Sequence, residues 1–81
     1  MAHDPQRRKQ LAKRLKAARV KAKLTIPEAS ERITGWGVAA SEWQVMNWEG
    51  GTGKIGGEPF PSDLPILAKV YGCRVADFFE G

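Results

Sequence analysis

Apolar residues in this chain recur mainly at three- and four-residue spacing. That period belongs to helices with one face toward a core, and no strand is expected. Leu11, Leu15, Ala18 and Ala22 form the first such stripe, in a stretch without Gly or Pro from Gln6 to Ala22. Asp4 can cap this helix, and Pro5 suits its first position, so a helix over about 5–22 is expected. Thr25 and Glu28 are spaced as a capping box, with Pro27 between them. They open a second helix over about 26–33, which buries Ala29 and Ile33 and ends before Gly35 and Gly37. Ser41 caps a third helix, 41–49, that ends at Gly50-Gly51. Ser62 caps a fourth, 62–71, with Pro65 in its first turn, Leu64, Leu67, Ala68 and Tyr71 as its stripe, and Gly72 as its stop. A fifth, 74–79, carries Val75, Phe78 and Phe79. Between the third and fourth lies GGTGKIGGEPFP, a glycine- and proline-rich loop. The expected fold is all-α, a compact five-helix domain spanning 1–81.

The 81 residues suffice for one such core, and 42% hydrophobic content with three Trp argues against disorder. One cysteine, Cys73, allows no internal disulfide, and with His3 it is too little for a zinc cluster. A reducing, cytoplasmic location is the simplest expectation. The N-terminal residues lack a signal peptide's apolar core, and no apolar run approaches a membrane span. No nucleophile–base pair is evident, so an enzyme is not expected, and neither is a cofactor or a metal. The GTGK at 51–54 lacks the spacing of a P-loop and follows a helix, not a strand.

Charge is unevenly placed. Residues 1–25 hold nine basic side chains against Asp4 alone, while residues 26–81 hold eight acids against Arg32, Lys54, Lys69 and Arg74. A positive field at one end suits a polyanion, although a solvated basic helix would look the same. The third helix has its own pattern. At 100° per residue, Val45 and Trp48 share one side, and Trp43 and Asn47 fall opposite with Met46 and Glu42 beside them. An aromatic, an amide and an acid are unusual on a merely solvated face.

Three segments in order resemble one family. RLKAARVKAKLTIPEA is similar to a first helix, short break and entry into a second. SEWQVMNWEGG looks like a capped recognition helix followed by an aromatic or aliphatic residue, Glu, any residue and Gly. PSDLPILAKVYGCRVADFF is similar to a fourth helix, a Gly break and a final hydrophobic helix. Together they resemble the Cro/C1-type (XRE) helix-turn-helix domains of phage repressors and many bacterial regulators, over roughly residues 11–80. The chain departs from them in TGWGVAA, which is longer than the usual turn, and in the longer loop after Glu49. Either the third helix begins earlier, near Val38, or the turn is expanded.

The resemblance implies a lambda-repressor-like fold and a sequence-specific, double-stranded-DNA-binding regulator of transcription, a repressor or Cro-like protein of phage or bacterial origin. It places Glu42, Trp43 and Asn47 at base edges, with Gln44 at a phosphate or base. Asn can bond adenine bidentately, Glu can accept from cytosine N4, and Trp43 could pack on a thymine methyl; alternatively Trp43 belongs to the core. Thr25, Ser41, Lys54 and the Lys and Arg side chains of the first helix, Arg14 among them, are candidates for phosphate or flanking contacts. Arg19 and Glu49 fall where the family forms a partly buried structural ion pair. The family often binds as dimers. A weak homodimer could join through Phe78 and Phe79, or both rings could close the monomer core. Trp36 either packs over the turn or marks a partner surface. The competing function is a protein-interaction module on the same fold, antitoxin-like or antirepressor, which the aromatic, acidic third helix favours and the basic first helix opposes.

Overall fold

The computed structural model describes residues 5–50 and 59–79, and every regular element among them is helical. Four α-helices, α1 (Pro5–Lys21), α2 (Ile26–Thr34), α3 (Glu42–Gly50) and α4 (Leu64–Tyr71), are joined by two 3-10 turns, Pro61–Asp63 and Val75–Phe78. Among the described residues there are thus four α-helices where five were expected. Gly72 ends α4 in the left-handed conformation at φ 71°, and Arg74 is extended. The Asp77 carboxylate then accepts the Arg74 N–H at 3.0 Å. The few residues left before Phe79 close a tight turn and are too short for a ladder of i→i+4 bonds.

Ser62 does not cap α4. It lies inside the Pro61–Asp63 turn, and Asp63 takes the position before α4 without a side-chain bond. Pro65 falls in the first turn of α4, where its missing N–H leaves nothing unpaired. The capping box of α2 is complete: the Glu28 N–H donates to Thr25 Oγ1 at 3.3 Å, and the Thr25 N–H donates to Glu28 Oε1 at 2.9 Å. The Asp4 cap proposed for α1 lies outside the described residues.

One core joins all the elements. Leu11 and Leu15 of α1, Ala29 and Ile33 of α2, Val45 and Trp48 of α3, Leu64, Leu67, Ala68 and Tyr71 of α4, and Phe78 are buried in a single cluster. Leu24 joins it from the α1–α2 break. There the chain reverses through Lys23 at φ 61°, and the Leu24 N–H reaches back to the Arg19 carbonyl at 3.2 Å. This is the closing pattern usually given to glycine at a helix end.

The segment between α2 and α3 settles where the third helix begins. It begins at Glu42, and residues 35–41 form an expanded turn. Two of its side chains, Val38 and Ala40, are buried in the core. The Ala40 carbonyl accepts from the hydroxyls of Ser30 and Thr34, the latter at 3.3 Å. The insertion is therefore pinned to α2 by packing and by two hydrogen bonds, which fixes how α3 leaves it. Trp36 stays about half exposed, with the Lys69 ammonium of α4 4.9 Å from its ring centroid.

Candidate nucleic-acid interface

Helix α3 is held from behind at three points. Val45 and Trp48 bury its inner side. Ser41 caps its start, its Oγ accepting the Gln44 N–H at 3.1 Å. Its last turn is tied to α1 by a fork: Arg19 Nε donates to Glu49 Oε2 at 2.8 Å, and Arg19 Nη2 donates to Glu49 Oε1 at 3.0 Å. The third donor, Arg19 Nη1, goes to the Leu24 carbonyl at 2.8 Å, so the same guanidinium also fixes the break before α2. Side-chain exposures of 12% for Arg19 and 7% for Glu49 take this pair largely out of water. The hydrogen bonds to Glu49 raise the Arg19 pKa despite the opposing cost of burial. Burial, followed by the Glu49 charge, raises that of Tyr71.

With its inner side fixed, α3 turns Glu42, Trp43 and Met46 outward. Trp43 is 65% exposed and Met46 51%. Glu42 is exposed, while Gln44 and Asn47, the latter expected on the outer side, are half-buried. Trp43 is therefore no part of the core. The helix carries no Lys or Arg. Positive charge comes from α1: a shallow groove beside α3 is lined by Lys16, Arg19, Ile26, Met46, Glu49 and Gly50.

The chain matches no family model, no curated protein and no solved structure.

The flanking residues named from sequence separate once placed. Thr25 is engaged with Glu28, which puts a carboxylate at the opening of α2. The hydrogen bonds from Thr25 lower the Glu28 pKa, so an anion approaching that end meets a resident charge. Arg14 is half-buried and stands two residues, about 200° of helix, from Lys16. It shares its side of α1 with Lys21, whose charge acts on Asp77 and Cys73 at the C-terminal turn, away from α3. Lys54 lies outside the described residues. Phe78 is 1% exposed and belongs to the monomer core, which takes it out of any dimer seam, while Phe79 is about half exposed.

Met46 is not among the contact residues expected from sequence, and Lys16 is among them only as one of the basic residues of the first helix. A signal was present for Lys16: it precedes Arg19 by three positions, so whatever helix faces Arg19 also lies near Lys16. Among the described residues, no helix is long and apolar enough to cross a membrane.

Proposed function

We propose that this chain is a sequence-specific double-stranded-DNA-binding regulator of the Cro/C1-type helix-turn-helix kind, in which α2, the expanded turn and α3 form the motif and α3 enters the major groove. The observation that carries the reading is the exposed outer face of α3, with Trp43 at its centre, on a helix fixed from behind by Val45, Trp48 and the Arg19–Glu49 fork. Base readout needs a protruding element whose side chains are held in register, and a helix of this width fits the major groove.

On this reading Glu42, Trp43 and Asn47 approach base edges, each good contact contributing about 1–3 kcal/mol of discrimination. Phosphate contacts supply most of the affinity. Lys16 is an α1 cation suited to this role, since it borders the same groove as Met46; Arg19, which also borders it, is held by Glu49. The amides opening α3 at Ser41, together with Gln44, are the other candidates. Each opening has an acid in its first turn, Glu42 in α3 and Glu28 in α2; the α2 opening is the weaker candidate because Glu28 also takes the Thr25 N–H.

The second reading, a protein-interaction module, draws on the same face. An exposed Trp beside an exposed Met has the make-up of a protein-binding hot spot, and a helix without Lys or Arg offers phosphate no cation of its own. A mobility shift with random-sequence duplex, followed by selection of bound sequences from a random library, separates the two. A shift that weakens steeply with salt and an enriched sequence support the regulator; no shift at low salt contradicts it.

A further inference from the structure

We infer that α3 reads the C5-methyl group of a major-groove pyrimidine, on thymine or 5-methylcytosine, through the exposed pair Trp43 and Met46. The inference rests on the proposed function, since it requires α3 to meet a duplex.

The outer face of α3 is suited to few base edges. It carries no Lys or Arg, so it lacks the cationic donors that most often recognise the paired acceptors of guanine. Its two most prominent side chains are apolar, 65% and 51% exposed, and three residues apart on one face. The C5-methyl is the apolar feature that a base pair offers in the major groove. Removing it from water against an indole and a thioether is favourable, and both side chains already project without rearrangement. Glu42, four residues before Met46, is exposed on the same side. A carboxylate there can accept from cytosine N4–H, and a C5-methylated cytosine offers that donor and the methyl together. Thymine offers the methyl beside an O4 acceptor, which gives Glu42 nothing.

The test uses the full chain and a site selected from a random duplex library built with ordinary nucleotides. Affinity is measured by anisotropy on the selected site, on copies with each thymine replaced by uracil, and on copies with each cytosine replaced by 5-methylcytosine. Wild type, Trp43→Ala and Met46→Ala are compared; both substitutions are at exposed positions, and the DNA substitutions leave the protein untouched. The expected result is a change of about fourfold per methyl at one or two positions. It appears as weakening on thymine removal if thymine is the source, or tightening on cytosine methylation if 5-methylcytosine is. The effect shrinks in one or both variants. Tight, selective binding that ignores both DNA substitutions overturns the inference and leaves the DNA-binding reading standing. So does a methyl effect that survives in both variants, or binding without sequence preference. Failure to bind any duplex overturns both.

Discussion

Arg19 and Glu49, thirty residues apart, meet through two near-parallel hydrogen bonds of 2.8 and 3.0 Å in a largely water-excluded position. The pair joins the helix that brings the charge to the one that projects the aromatic face. Removing either partner leaves the other charged, desolvated and unpaired. Glu49→Ala and Arg19→Ala should each destabilise the chain by about 3–5 kcal/mol in urea denaturation. Glu49→Gln keeps an acceptor and most of the volume, and should lose less. A Glu49→Ala curve superimposable on wild type would show that the fork contributes nothing.

At the α1–α2 break, Lys23 holds a left-handed backbone at φ 61° that suits glycine. Lys23→Gly relieves that strain but gains freedom in the unfolded chain, and the first effect is the larger. The variant should be more stable by about 0.5–1 kcal/mol, read as a higher denaturation midpoint with an unchanged slope.

Glu28 gives stability a pH dependence of definite sign. Hydrogen bonds from Thr25 lower its folded-state pKa below the ordinary 4.5. The resulting stabilisation is fully present above that value and is lost as pH falls through the folded-state value. Glu28→Gln, which removes the carboxylate charge, should melt below wild type at pH 7, and the gap should narrow as pH falls from about 4.5. A gap independent of pH would contradict the Glu28 carboxylate as its cause.

The cations of α1 should differ in their effect on binding. Lys16 borders the α3 groove and Arg14 does not. Lys16→Ala should reduce the slope of log affinity against log salt by about 0.9, as expected for one lost phosphate contact, and Arg14→Ala should leave it unchanged. The reverse pattern would place the duplex on the opposite side of α1.

Most of the helical fold could be read from local signals. Leu11, Leu15, Ala29, Ile33, Val45, Trp48 and the α4 stripe lie in the core because each helix needs only its own period to choose a face. What escaped the sequence depends on distance or on competition. Whether residues 74–79 make a helix or a single turn depends on the Asp77 carboxylate bonding the Arg74 N–H in a segment too short for either to be fixed by period. Whether the third helix begins near Val38 or at Glu42 depends on burial of Val38 and Ala40 and on the hydroxyls of Ser30 and Thr34, which come from another helix. For the candidate site, the outward position of Trp43 followed from helix geometry. The choice of Lys16 over Arg14 required knowing which side of α1 meets α3.

The central claim, that a duplex lies against the outer face of α3, is tested most directly by amide shift mapping on the labelled chain as duplex DNA is added. The account predicts that the largest changes fall on residues 41–47, the Trp43 indole N–H and the Lys16 edge of α1, while Trp36 and Lys69 stay unmoved. Changes centred on Trp36, α4 or the C-terminal turn, with α3 silent, would contradict it.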